Sequence, residues 1–384
     1  MKKILVLLPW VEFLDVHLVK DVGLFPLYFK TEYKIPVDFV FLDNKKTGTK
    51  LNEYEGMNLI KLSSKTEYKN APRIGRNPFK FFKFTKIFKD FLSENKNSYS
   101  HVMMFHVSTT TLHFVRFIKK LNKDIKIYIK SDAATFKNKQ WIYLKQILKL
   151  CDALSVENDV LFDQIKNKFS KCAKKIAYIP NGFDDKALNA ELFSVPKENI
   201  IIQTARFGTP QKNTQLLLKI LSEIDLKNWQ VILAGTIEKD FESYIADYFK
   251  NHPELKDKIH FIGNVSDRNE LYSLYAKAKI FILTSRWESF ALSLMEASFF
   301  ADYIISTNVG IAPTIKNKFC GFVAEGNPLN AKNDEKIALE IEQELKRCIE
   351  NPENCIISEN VKEKIRQEFS MSNIVKNEIF KGLF

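Results

Sequence analysis

The chain has 384 residues, of which 45% are hydrophobic and 27% charged, so it is neither disordered nor fibrous and is long enough for two or three domains. No run of about 18 apolar residues occurs, which excludes a transmembrane helix. The net charge of +12 is unevenly placed: residues 1–195 carry 34 Lys and Arg against 20 Asp and Glu, while residues 196–384 carry 24 against 26. A basic first half suits phosphorylated small molecules, an anionic membrane or nucleic acid, although a Lys- and Phe-rich composition (32 Phe) also fits genomic base bias.

Met1-Lys2-Lys3 followed by Ile4–Leu8 mimics a signal peptide, but Pro9-Trp10-Val11-Glu12 ends the apolar run without a small-residue cleavage site, so it reads as a first strand over 2–8. Further strands are expected at 37–42, 57–62, 101–105, 125–130, 152–156 and 175–179, with helices between them. Over 77–92, Pro78 starts a helix on which Phe81, Phe84, Ile87, Phe88, Phe91 and Leu92 share one face, with Lys80, Lys83, Lys86 and Lys89 spread over the rest. Two readings stay open: that face packs on a sheet, or the helix lies on an anionic membrane. Turn chemistry at Pro180, Asn181-Gly182 and Pro196 marks a junction over 180–198. A second strand series follows at 199–204, 229–234, 259–262, 280–283 and 303–306, with helices near 211–224, 237–251, 267–277 and 289–300. A last helix is expected over about 359–382. The five cysteines form no C-x-x-C pair and are odd in number, which points to neither zinc nor a disulfide framework and suits a reducing cytoplasm.

No G-x-G-x-x-G follows a strand and no G-x-x-x-x-G-K-[ST] is present, which speaks against nicotinamide-binding and P-loop domains; no metal-ligand spacing appears. The candidate chemistry sits in the second half. Glu288 and Glu296, eight residues apart, flank the start of an apolar helix. An acid buried among Leu292, Met295 and Phe299 needs a partner. A ribose diol would supply one, and a neighbouring cation would serve equally. Glu288 lies near amides of Phe290, Ala291 and Leu292 at a positive helix end that favours phosphate. Upstream, Arg206 and Lys212 follow the first strand of the second series, where ligands of open parallel sheets collect. Together they could neutralise a diphosphate. The bland alternatives are a helix-start acid, a buried ion pair and solvated loop cations.

The ordered set Ile179-Pro-Asn-Gly-Phe-Asp184, Arg206 with Lys212, Phe261-Ile-Gly-Asn-Val265, Glu288-x7-Glu296 and Ser306-Thr-Asn-Val-Gly310 resembles the family 4 retaining glycosyltransferases. The likeness is strong over 175–325 and weaker over 1–175, where Cys151–Val156 and Phe105-His106 are similar to family strands. It implies an α/β GT-B fold of two facing Rossmann-like, doubly wound domains with parallel sheets. An acceptor-binding domain would cover 1–190, a nucleotide-sugar-binding domain 191–358, and 359–384 a helix crossing back. It further implies that Arg206 and Lys212 bind the donor diphosphate, Glu296 the ribose and Glu288 the transferred sugar. Amides of Phe290, Ala291 and Leu292 would hold phosphate or sugar oxygens, with Gly235, Gly263 and Val265 on the donor side. Ser289 and Ala291 stand where glycines are usual, and are less permissive at positive φ. Asp132 stands where many members have a histidine, near the anomeric centre; a turn cap is its bland alternative.

The resemblance implies a retaining, metal-independent transferase without cofactor, moving a hexose-type sugar from a nucleoside-diphosphate sugar to a glycan or lipid-linked acceptor in bacterial surface polysaccharide or glycoconjugate synthesis. It would be cytoplasmic or peripheral on the inner face of the plasma membrane. One rival keeps the fold but inverts the anomeric centre, with His106 or Asp132 as base. Another is a non-enzymatic basic adaptor binding membrane or nucleic acid through 73–97; it leaves the second-half landmarks unexplained, so nucleic acid is not expected as a partner.

Overall fold

A computed structural model describes residues 3–384 apart from 45, 134 and 187. Residue 2 of the expected first strand and residue 187 of the junction lie outside the described residues. The chain divides into two compact units, 1–182 with 371–384, and 183–370.

The first unit holds strands β1 (Ile4–Leu7), β2 (Val37–Leu42), β3 (Glu53–Tyr54), β4 (Met57–Leu62), β5 (His101–Phe105), β6 (Lys126–Ser131), β7 (Ala153–Val156) and β8 (Ile176–Tyr178), in the order β3-β4-β2-β1-β5-β6-β7-β8. The β3–β4 pair is antiparallel and the remaining pairs are parallel. Its helices are α1 (Asp21–Tyr33), α2 (Pro78–Glu94), α3 (Thr109–Leu121), α4 (Asn138–Leu150) and α5 (Asp159–Lys168). Alternate residues of β1 feed opposite faces, as a strand's two-residue period requires: Leu5 and Leu7 meet α2 to α5, while Ile4 and Val6 meet α1.

Helix α2 buries the face expected over 77–92. Asn77 caps it by accepting from the Lys80 amide at 2.9 Å, and Pro78 opens its first turn. Phe81, Phe84 and Phe88 are fully buried and Leu92 nearly so, so this face belongs to the core; each phenylalanine contributes roughly 1.5–3 kcal/mol of burial. Phe79 and Phe82, off that face, are exposed instead.

The second unit carries β9 (Glu198–Thr204), β10 (Gln230–Ala234), β11 (Ile259–Gly263), β12 (Ala278–Leu283), β13 (Tyr303–Ser306) and β14 (Gly321–Val323), all parallel, in the order β11-β10-β9-β12-β13-β14. Helices α6 (Thr214–Ser222), α7 (Glu242–Asn251), α8 (Arg268–Lys277), α9 (Leu292–Phe299), α10 (Ala312–Lys318), α11 (Asp334–Glu350) and α12 (Glu359–Phe369) cover both faces, and a separate apolar cluster fills each. The sheet is therefore doubly wound, with its two central strands, β9 and β12, adjacent.

The single helix expected over 359–382 is instead three. After α12, Ser370 turns extended (φ −67°, ψ 122°) and bridges Phe183, whose amide donates to Phe369 O at 2.7 Å. Two short helices, α13 (Met371–Ile374) and α14 (Glu378–Lys381), follow in the first unit. Phe369 enters one core while Met371 and Phe380 enter the other.

Candidate active site

In the second unit the carboxyl ends of β9, β10 and β11 are drawn together by glycines. Gly235 (φ +146°) donates its amide to Gly263 O at 2.7 Å, and a Cβ there would lie 1.8 Å from Ala205 O. Only glycine allows that approach. Gly263 (φ +77°) opens the loop that carries half-buried Val265, and a Cβ on it would meet nothing within 4 Å.

The loop after β9 and the loop after β12 are tied side by side. Lys212 Nζ contacts Glu288 Oε1 at 2.5 Å, Ser285 Oγ donates to the same oxygen at 2.7 Å, and Gln211 Nε2 donates to Oε2 at 3.3 Å. The Glu288 side chain is 11% exposed and that of Lys212 19%, so this ion pair works with little water. Arg286 fixes the same junction: its amide donates to Gln211 O at 2.7 Å, and its guanidinium grips Asp334, at the start of α11, bidentately at 2.6 and 3.0 Å.

Arg206 takes another direction. Its Nε donates to Glu238, and its side chain is 67% exposed. The loop after Glu288 is compact. Phe290 and Ala291 are buried, and Ala291 adopts φ +71°, the left-handed region that an alanine enters at a cost of about 1–2 kcal/mol. Gly310 (φ +53°) presses on it, where a Cβ would lie 2.4 Å from Phe290 O. Helix α9 starts at Leu292, later than the expected 289, so its first-turn amides begin four residues after Glu288.

Glu296 finds a protein partner: Arg268 donates to Oε1 at 2.5 Å and also to Tyr272 Oη at 2.7 Å. Its Oε2 accepts no hydrogen bond among the described residues. Arg268, at the start of α8, was not anticipated; nothing in spacing joins it to an acid 28 residues on. Arg286 lies two residues before Glu288, yet only the fold selects Asp334 for it.

In the first unit the two alternative bases turn out to be neighbours. His106 follows β5 at φ +65° and Asp132 follows β6; Nδ1 and Oδ1 are 2.6 Å apart. Trp10 stacks on the imidazole, with centroids 5.7 Å apart. Burial disfavours the imidazolium, but the hydrogen bond and charge of Asp132, with Asp21 and Glu157 beyond, outweigh it and raise the His106 pKa. Burial likewise works against the Asp132 carboxylate, and the same histidine holds its pKa down. Behind them Lys130 is fully buried, 3.6 Å from Glu157 and over the Phe25 ring at 4.6 Å. Glu157 accepts from Asn181 at 2.8 Å, and burial pushes it up to about 8. Asp21 is also raised by burial, with Lys130 opposing.

Among the described residues no group of three or more His, Cys, Asp or Glu is placed to hold a metal ion, and no helix is long and apolar enough to cross a membrane.

Residues 184–356 match the family model described as glycosyl transferases group 1. An uncharacterized glycosyltransferase of Methanocaldococcus jannaschii is 25% identical over 233 residues, 56% of this chain and 64% of that one. The curated relatives it matches are covered over between 36% and 64% of their own length. Sucrose-phosphate synthase from Thermosynechococcus elongatus superposes with TM-score 0.69 at 16% identity, over 97% of this chain and 96% of that one. Anabaena HepE, solved with UDP-glucose, superposes with TM-score 0.66 at 14% identity, over 100% of this chain and 99% of that one. The second unit is thus a group 1 glycosyl transferase domain, and the chain that carries it has the fold of the GT-B glycosyltransferases.

Proposed function

We propose that the protein is a retaining glycosyltransferase that takes a hexose-type sugar from a nucleoside-diphosphate sugar and passes it to a glycan or lipid-linked acceptor, without a metal. The donor would bind the second unit and the acceptor the first. The observation that carries this reading is the Lys212–Glu288 contact at the carboxyl ends of adjacent strands β9 and β12, just before the first turn of α9. In this reading Lys212, Arg206 and the α9 amides stabilise charge on the departing diphosphate, and Glu288 orients sugar hydroxyls. Glu296 Oε2 accepts from the ribose while Arg268 holds Oε1. Gly235, Gly263 and Val265 would face the donor's nucleoside end. A leaving phosphate oxygen takes the acceptor proton on the face it departs from, so the sugar keeps its configuration. That the Anabaena neighbour was solved with UDP-glucose supports a nucleotide-sugar donor.

The His106–Asp132 pair specifically favours a second reading, inversion, with His106 as base oriented by Asp132. Anomeric analysis of the product by NMR separates the two. Exposed Phe79 and Phe82 with Lys80, Lys83 and Lys86 at the start of α2 support peripheral contact with an anionic membrane at the cytoplasmic face. A thermal-shift panel of nucleotide sugars, with and without EDTA, tests the main proposal: one donor should raise the melting temperature equally in both conditions. No stabilisation by any nucleotide or nucleotide sugar would overturn it.

A further inference from the structure

The C-terminal ends of α3 and α4 meet at the N-terminal edge of the first unit's sheet, where a cavity of about 530 Å³ opens. Its wall carries Arg116, Lys119, Lys120, Lys123, Lys149 and Lys175 against a single acid, Asp152. Strand β6 runs from this edge to Asp132, so the cavity lies roughly 17 Å along the strand from the His106–Asp132 pair.

Part of this charge answers the helix ends. Lys119 donates to Ile125 O at 2.6 Å and contacts Asp152 at 3.0 Å; Lys175 donates to Cys151 O at 2.8 Å. Cations at helix C-termini complement the macrodipole, which accounts for these two. It extends to Lys120 and Lys149, in the last turns of α3 and α4, but not to Arg116 or Lys123. Arg116, Lys120, Lys123 and Lys149 are exposed, and the three lysines form no ion pair among the described residues. Asp152 cannot neutralise them, because it is already shared by Lys119, Lys126 and the Ile127 amide.

A concavity lined by one sign of charge concentrates its field on an incoming counter-ion. Arg116 offers a planar fork suited to phosphate, the lysines offer compact charges, and the volume exceeds what one phosphate fills. We propose that this cavity binds clustered phosphate groups, two or more on one ligand or assembly, at a site separate from the donor site of the second unit. Solvated lysines alone would give no saturable binding.

The test uses the full chain and two arms. In the first, inorganic tripolyphosphate is titrated calorimetrically into wild type, the Lys212→Ala variant and the triple variant Lys120→Glu/Lys123→Glu/Lys149→Glu. The Lys212→Ala variant reports on the proposed donor site and the triple variant on the cavity, so failure of one is distinguishable from failure of the other. In the second arm, co-sedimentation with phosphatidylglycerol vesicles is compared with phosphatidylcholine vesicles. Loss of one tripolyphosphate site, or its weakening at least tenfold, in the triple variant alone assigns the cavity to a free polyphosphate. Loss confined to the phosphatidylglycerol arm assigns it to lipid head groups. The replaced lysines are exposed, so an unchanged melting temperature controls for folding. Wild type and triple variant behaving alike in both arms would overturn the proposal.

Discussion

Replacing Lys212 by methionine tests whether the contact with Glu288 is a structural ion pair as well as a donor contact. The Glu288 side chain is 11% exposed, so once Lys212 is gone its carboxylate retains only Ser285 and Gln211 and little water. A charged hydrogen bond contributes about 1.5–3 kcal/mol, and stranding a wholly buried charge costs about 3–5 kcal/mol. With two donors remaining, the expected loss is about 2 kcal/mol, or roughly 4–8 °C in melting temperature for a unit of this size. Arg206→Ala should behave differently. Its side chain is 67% exposed and that of Glu238 35%, so its removal costs at most about 1 kcal/mol. Both variants should lose transfer, but only Lys212→Met should melt early. Adding Glu288→Gln to Lys212→Met should recover at least half of the loss, because the orphaned charge is then neutral. Thermal unfolding of the full chain by circular dichroism makes the comparison. A Lys212→Met protein melting within about 1 °C of wild type, or a double variant less stable than the single, would refute the reasoning.

Three other outcomes follow from the same geometry. His106 should titrate above the ordinary 6.5, and Asp132→Asn should lower it, because burial would then be opposed only by Asp21 and Glu157; NMR of the imidazole reads both, and an unshifted titration sinks the pairing. The raised His106 contributes stability that is fully present below its unfolded pKa and is lost as pH rises through the folded value. The lowered Asp132 contributes stability present above its unfolded pKa and lost as pH falls through the folded value. Gly235→Ala places a methyl 1.8 Å from Ala205 O and should cost at least about 3 kcal/mol, whereas Gly263→Ala, into open space at φ +77°, should cost only about 1–2 kcal/mol; denaturant unfolding ranks them. Ala291→Gly relieves φ +71° and should stabilise by about 0.5–1 kcal/mol once the added freedom of the unfolded chain is subtracted, seen as a small rise in melting temperature.

Alternating short apolar runs and amphipathic stretches were sufficient to expect two parallel α/β sheets, because a strand buried on both faces must be apolar along its length and a crossover helix must show one apolar stripe. Strands β3 and β14, of two and three residues, were missed because no period is visible in so short a run. The crossing of the last segment from one unit to the other was expected from the resemblance, but the break at Ser370 within it was not. Among site residues, Glu288 and Glu296 stood out by spacing and Arg206 and Lys212 by their place after a strand. Arg268 for Glu296 and Asp334 for Arg286 did not, and His106 and Asp132 were each named but not as a pair; these partners lie between 26 and 48 residues apart and are joined by the fold alone. Local sequence thus determined which elements form and which charged residues sit at their ends, since propensity and periodicity act within a few residues. Which charge faces which was decided by the tertiary structure, because a hydrogen bond or ion pair depends on separation in space, and only the assembled sheets bring these loops within a few ångströms.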